Sequence, residues 1–335
     1  KQSLIKSDKI LAPVVDKEKR VVDYIYLPDL LYDFSLAQQE DCGVLPPKKI
    51  LIIGGAGYIG SILTEKLLRM GYCVRVLDLL IYGKDPIKIF DKYENFEFIR
   101  GDCRDIRVAE KALDGMDTAI HLAEIVGDPA CEINESFTIE TNYFATQMIA
   151  EQCLKQKISR FIFMSSCSVY GQNNEEVNED SELNPVSLYA RCKIESEKAI
   201  LSLSHNFLCP TILRLATVHG MSHRQRFDLV VNLLSIKASS EKKIQIFGGA
   251  QWRPFISVED VCHGIITVLH SDSKKVKNQV FNLGDSRENY QLSQIGNILK
   301  KHIPELDVQT LSNNTDSRNY KVSFDKVKNR LGFSC

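Results

Sequence analysis

Tyr189 and Lys193 are the residues whose types and spacing first suggest chemistry. They stand at i and i+4 of a stretch that reads as helix, so both side chains lie on one face, one turn apart. A free tyrosine titrates near ~10, too high for a base at neutral pH. A cation within ~4–6 Å lowers a neighbour's pKa by ~1–3, so Lys193 makes Tyr189 a candidate general base. Such a pair also arises by chance on a solvated helix face. The upstream pair Ser165-Ser166 gives it weight, because it closes an apolar run that reads as a parallel strand. Ligands of parallel sheets bind at the carboxyl ends of the strands. From there Ser166 can hydrogen-bond the same substrate oxygen that Tyr189 deprotonates.

The second constellation is a glycine turn. The apolar run Lys49-Ile50-Leu51-Ile52-Ile53 leads straight into Gly54-Gly55-Ala56-Gly57-Tyr58-Ile59-Gly60, and a helical stretch follows. Gly54 permits the tight turn, Gly57 lets the backbone approach a pyrophosphate, and Gly60 lets helix and strand pack closely. The helix start then offers free N–H groups and the positive end of its dipole to the phosphates. Asp78 ends the next strand, where a carboxylate takes the hydroxyls of an adenosine ribose. A carboxylate there disfavours a 2′-phosphate, so NAD is expected rather than NADP. The oxidised nicotinamide is a cation and pushes the Tyr189 pKa the same way as Lys193. Asp102, in Gly101-Asp102-Cys103 after the third strand, reads as an adenine contact or as a plain turn residue.

The elements that must position these residues follow from the apolar patterning. Short strands at 49–53, 73–78, 96–100, 118–122, 160–165 and 209–214 alternate with helices at about 58–70, 106–113, 134–156 and 187–204. That alternation means βαβ units and a parallel sheet. Beyond 218 the pattern loosens into helices near 227–238, 258–270, 291–302 and 323–331, a strand at 279–283 and an irregular stretch at 244–257. The expected fold is α/β: a Rossmann-type doubly wound parallel sheet with a smaller, discontinuous C-terminal substrate lobe. Residues 48–217 are read as the NAD-binding domain, with 258–284 returning to it. Residues 218–257 and 285–335 are read as the substrate lobe. Residues 1–47, with the charge cluster Asp16–Arg20 and the apolar stretch Leu27–Tyr32, are read as an extension of unknown role, a strap packed on the main body or else a partner-binding or dimer-stabilising arm, and carry no recognisable chemistry.

Composition bounds the rest. The 335 residues suit about two domains at roughly 100–200 residues each. Lys and Arg number 42 against 43 Asp and Glu, a net charge of −1 that argues against a nucleic-acid binder. No apolar run approaches the ~20 residues that cross a bilayer. The opening Lys1–Lys6 has no signal-peptide apolar region and no initiator Met, so the natural start is expected upstream or trimmed and the protein cytoplasmic. The ten cysteines include no Cys-x-x-Cys pair, so reduced thiols are expected, with no disulfide framework and no metal site. Cys167 beside Ser166, and Cys192 between Tyr189 and Lys193, make thiol modification an expected route to inactivation.

From about 48 to 335 the chain resembles the extended short-chain dehydrogenase/reductases of the NAD-dependent epimerase/dehydratase family, especially its UDP-glucose 4-epimerase branch. The matching pieces are Gly54–Gly60, Asp78, Gly101-Asp102, His121-Leu122-Ala123, Thr141-Asn142, Ser165–Gly171, Tyr189-x-x-x-Lys193 and Arg253–Asp260. The resemblance implies that Ser166 is the catalytic hydroxyl, Tyr189 the acid/base and Lys193 its partner. It implies cofactor contacts from Gly54, Gly57, Tyr58, Ile59, Gly60, Asp78, Asp102, Cys103, Leu122, Ala123, Asn142 and Lys193. It implies substrate contacts from Asp128, Ser166, Asn232, Arg253 and Arg318. The two arginines would bind the diphosphate of a nucleotide sugar, to which a bidentate guanidinium is suited. A homodimer is implied as well.

The departures narrow the activity. Four-six dehydratases of this family carry Thr-Asp-Glu where this chain has Ser166-Cys167-Ser168, so the acid and base that remove water are missing and dehydration is disfavoured. His219 stands where the family usually has Tyr, and Gly127–Cys131 is unlike the common 4-epimerase sequence. The expected activity is nucleotide-sugar epimerisation by transient oxidation to a keto-sugar and hydride return to the opposite face. A ketoreductase or dehydrogenase sharing the Ser-Tyr-Lys site is the first alternative, and a non-catalytic NAD-binding scaffold the second.

Overall fold

The computed structural model describes residues 11–15, 21–26, 49–203, 207–311 and 318–335. Near the start, β1 (Leu11–Val15) pairs antiparallel with β2 (Val21–Tyr26), within a unit Lys1–Leu45 separate from the compact unit Pro46–Cys335. The charge cluster Asp16–Arg20, the stretch Leu27–Tyr32 and Cys42 lie outside the described residues.

The larger unit is built on seven parallel strands: β3 (Lys49–Ile53), β4 (Cys73–Asp78), β5 (Phe96–Arg100), β6 (Thr118–His121), β7 (Arg160–Ser166), β9 (Cys209–Leu215) and β13 (Gln279–Leu283). They run in the order β13-β9-β7-β6-β3-β4-β5. A parallel sheet is covered by helices on both faces, which is why its strands are apolar throughout. Ile50, Leu51 and Ile52 of β3 are fully buried, as are Phe161 and Phe163 of β7. The order reverses between β3 and β6. Loops leaving those two strands diverge at their carboxyl ends and open a crevice where ligands of such folds bind. This is the Rossmann-type α/β fold that the strand–helix alternation predicts.

The later elements form smaller sheets. β10 (Thr217–His219), β12 (Trp252–Ser257) and β14 (Asn289–Gln291) make one. β11 (Lys243–Phe247) pairs with β15 (Asp307–Leu311), and β16 (Asn319–Val322) pairs with β8 (Gln172–Val177). The stretch 244–257 is therefore two strands and not irregular. Ile244 and Ile246 alternate with exposed neighbours and pack on Leu234, Phe255 and Ile295 in a second apolar core. The long helix read at 134–156 is three segments: Glu135–Ile139, a π-helical turn Glu140–Phe144, and Ala145–Lys155. Such π turns recur at functional sites, and this one carries Asn142. No helix among the described residues is long and apolar enough to cross a membrane.

Candidate active site

The glycine turn acts through absent side chains. Gly54 sits at φ +88°, a conformation that side chains rarely adopt. A Cβ on Gly60 would lie 2.3 Å from the Gly54 carbonyl oxygen, so only glycine lets the helix Tyr58–Arg69 start this close to β3. Gly57 caps that helix without a side chain, leaving its first N–H groups for an anion. The turn forms one wall of a cavity lined by Gly54, Ala56, Gly57, Asp78, Asp102, Cys103, Leu122, Ala123 and Glu124, among others. Asp78 Oδ2 accepts from Ala56 N at 3.0 Å and Oδ1 from Leu80 N at 2.8 Å. Burial pushes its carboxyl upward, and these two N–H groups and Arg224 oppose the rise. Asp102 is held below the usual carboxylate range by hydrogen bonds from Arg104, whose Nη2 lies 2.7 Å from its Oδ2. A tight glycine turn, a helix start without a side-chain cap and a ribose-side carboxylate on one cavity fit a dinucleotide.

A second cavity of about 450 Å³ adjoins the first through Leu122 and Glu124, which line both. Ser166, Tyr189, Lys193, Asp128, Arg253 and Arg318 all face it. The sheet and the helix Leu188–Ser202 bring the Ser-Tyr-Lys set together. Tyr189 hydrogen-bonds Ser166, and Ser166 Oγ accepts from Ser168 N at 3.1 Å. The helix is pinned behind its reactive face: Ser165 Oγ donates to Glu197, Glu197 takes a charged pair with Arg214 at 2.7 Å, and Ser196 Oγ donates to the Asn142 carbonyl at 2.9 Å. Arg318 Nη1 stands 3.2 Å from Asp128 Oδ2 across the cavity. Arg253 is buried, with Nη1 donating to the carbonyls of Trp252 and Arg318. Asp316 and Ser317, which precede Arg318, lie outside the described residues.

Several expected contacts hold other positions. Asn142 is fully buried, and its amide is committed to Ile125, accepting from its N–H and donating to its carbonyl at 2.8 Å each. It shapes the loop after β6 and lies outside the linings of both cavities. Asn232 likewise serves Gly220 N, the Tyr58 hydroxyl and the Arg226 carbonyl. Tyr58 and Ile59 line the second cavity rather than the first, and Gly60 acts through packing. Cys167 and Cys192 are buried, and desolvation pushes both thiols up, so they are not reactive thiolates at neutral pH and the expected inactivation by thiol modification does not follow. The nine described cysteines are all free. His219 does not line the second cavity.

The sequence reading missed Glu124. Its carboxylate pairs with Lys193 Nζ inside the protein, where the two side chains are 4% and 3% exposed. Burial pushes the Glu124 carboxyl up to about 7 and the Lys193 ammonium down, while each charge opposes the other's shift. Lys193 therefore shares its charge with Glu124 rather than facing Tyr189 alone. The phenol is pushed well above the usual tyrosine value, first by burial and then by the charge on Glu124. An acidic side chain three residues after the fully buried strand β6, at the ligand-binding end of the sheet, was the available signal. Arg226, paired with Asp228 at the rim of the second cavity, was also missed.

A parallel sheet with a dinucleotide cavity joined to a Ser-Tyr-Lys cavity defines a nicotinamide-dependent enzyme of short-chain dehydrogenase type. A model of the NAD dependent epimerase/dehydratase family matches residues 50–284, and the chain belongs to that family, with NAD as its cofactor. It is 34% identical over 232 residues to an uncharacterized UDP-glucose epimerase, YtcB, of Bacillus subtilis, covering 66% of this chain and 72% of that one. It is 29% identical over 304 residues to the trifunctional UDP-glucose 4,6-dehydratase/UDP-4-keto-6-deoxy-D-glucose 3,5-epimerase/UDP-4-keto-L-rhamnose-reductase RHM2 of Arabidopsis thaliana. That match covers 86% of this chain but only 44% of the relative. Among solved structures, the UDP-glucuronic acid 4-epimerase of Bacillus cereus, in complex with UDP-glucuronic acid and NAD, superposes with a TM-score of 0.76 at 30% identity. It covers 85% of this chain and 93% of that one.

Proposed function

We propose that this protein is an NAD-dependent epimerase of nucleotide sugars. The observation that carries the reading is one cavity, adjoining the dinucleotide cavity, that holds Ser166, Tyr189 and Lys193 together with Arg253 and Arg318. The two arginines suit the diphosphate of a nucleotide sugar, which would lay its sugar against Tyr189. Bound NAD supplies exchange of a hydride with the sugar carbon and, when oxidised, a positive charge that brings the Tyr189 phenol down. Ser166 hydrogen-bonds the reacting hydroxyl, and Tyr189 takes its proton as the carbon–oxygen bond becomes a ketone. The keto-sugar then presents its other face, and Tyr189 returns the proton to the carbonyl oxygen as hydride comes back to the same carbon.

The positions that carry the dehydratase acid pair support epimerisation over dehydration. Cys167 and Ser168 are buried there, and neither is a carboxyl. The carboxylates at the second cavity are each paired: Glu124 with Lys193, Asp128 with Arg318, and Asp228 with Arg226. A panel of nucleotide sugars followed by proton NMR tests the reading. The expected result is a second epimer with no net change in nicotinamide absorbance. Tyr189→Phe should keep NAD binding and lose ~10² or more in turnover. Full activity in that variant, or stoichiometric NADH, would refute it.

A further inference from the structure

Glu124 is a carboxylate placed where family motifs gave no reason to look. It lies within the loop that joins β6 to the helix Asp128–Ile133, lines both cavities and has a buried side chain. One oxygen takes Lys193; the other, Oε1, has no hydrogen-bond partner among the described residues. A buried carboxylate with an unmet oxygen is costly unless something else uses it. Among the described residues, Lys193 is the cation that acts on the Glu124 carboxyl, while Arg226 lines the same cavity and acts on Tyr189. Lys193 and Tyr189 come from the helix Leu188–Ser202, as does the thiol of Cys192. Cys131 comes from the helix Asp128–Ile133, and the neutral His121 of β6 interacts with Lys193 rather than with Glu124.

The chain's geometry fixes which end of a dinucleotide meets Glu124. The glycine turn takes the phosphates and Asp78 the adenosine side, so the nicotinamide end must run toward Tyr189, past the residues common to both cavities. The oxidised ring carries a positive charge and the reduced ring none. A lone Lys193 ammonium beside it would favour the reduced form.

We propose that Glu124 is a charge-balancing residue for the cofactor: paired with Lys193 where the cavities meet, it removes the penalty that the lysine would impose on oxidised nicotinamide and keeps resting enzyme in the oxidised form. The inference rests on the NAD-dependent reading above. An epimerase needs this bias, because a cofactor left reduced at the end of a cycle cannot accept the next hydride.

The test is the ratio of affinities for NAD and NADH, measured separately by calorimetry and by NADH fluorescence at pH 8. A unit charge roughly 6–12 Å away at an effective dielectric of ~20 changes an equilibrium by roughly tenfold to a hundredfold. Glu124→Gln should weaken NAD relative to NADH by about tenfold or more. Glu124→Gln with Lys193→Gln should return the ratio to near that of the parent protein, which loss of packing alone would not do. If Glu124→Gln does not fold, Lys193→Gln must shift the ratio toward NAD. A ratio within twofold of the parent in the folded single variant, or equal weakening of both forms, overturns the proposal. Failure of the parent protein to bind either nucleotide overturns the reading beneath it instead.

Discussion

Replacing Asn142 with alanine removes the clamp on the loop that carries Glu124. The amide of Asn142 satisfies both the N–H and the carbonyl of Ile125, at 2.8 Å each, from a fully buried position in the π turn. Alanine leaves the Ile125 N–H unpaired and its carbonyl with only the weak Cys131 thiol donor at 3.3 Å, and an unsatisfied buried group costs about 1–3 kcal/mol. Ile125 is only part-buried, so water recovers some of this, and the expected loss is about 2–4 kcal/mol. Equilibrium urea unfolding should show a lower midpoint with an unchanged slope, since the surface exposed on unfolding is the same. NAD affinity should fall with it, because the loop bordering the cofactor cavity is no longer held. Asn142→Asp should not rescue, since a carboxylate sets lone pairs against the Ile125 carbonyl. A loss below 0.5 kcal/mol in Asn142→Ala, on the usual scale of surface substitutions, would refute the reasoning.

Other outcomes follow from the same geometry. Gly60→Ala puts a methyl group 2.3 Å from the Gly54 carbonyl oxygen and 2.7 Å from the Gly55 Cα. It should cost NAD at least about tenfold in affinity by calorimetry, and unchanged affinity would show that the turn can give way. Buried His121 is pushed down to about 3 by desolvation, while unfolded histidine titrates near ~6.5. The unfolded state therefore binds the extra proton first, and the stability this group contributes above ~6.5 is lost as pH falls toward about 3. His121→Phe should flatten the stability–pH slope in that window by up to about 1.4 kcal/mol per pH unit. Among the described thiols, exposed Cys73 should be alkylated before buried Cys167 and Cys192. Peptide mass spectrometry after brief iodoacetamide treatment checks that order, and early labelling of Cys192 would contradict it.

The parts legible in the sequence are those whose residues are contiguous. The glycine turn, the strand before it and the helix after it fall within one short segment, and so do Tyr189 and Lys193. The sheet was legible because a parallel strand must be apolar on both faces. What the sequence hid arises between distant segments. Lys193 alone implies a cation beside Tyr189, but Glu124, far away in the chain, cancels it across the crevice. Asn142 and Asn232 carry donors and acceptors suited to a ligand, yet loops that meet them only in three dimensions already use those groups. The small sheets were obscured by their short strands. β11 does alternate buried and exposed residues, but Gly248 and Gly249 follow at once and make the run look like a loop.

The pinning of the helix Leu188–Ser202 has a consequence for how this chain can change over evolutionary time. Glu197 and Ser196 anchor that helix to Arg214, Ser165 and the Asn142 backbone, so Tyr189 and Lys193 cannot be re-aimed without dismantling buried polar bonds. The opposite wall of the second cavity comes from the later segments, through Arg253, Leu292, Arg318 and Tyr320. Substitutions there alter the ligand's surroundings while the reacting groups stay fixed. Under the proposed function, reaction and selectivity are thus written in separate stretches of chain, and new substrate preferences can be explored without putting the proposed chemistry at risk.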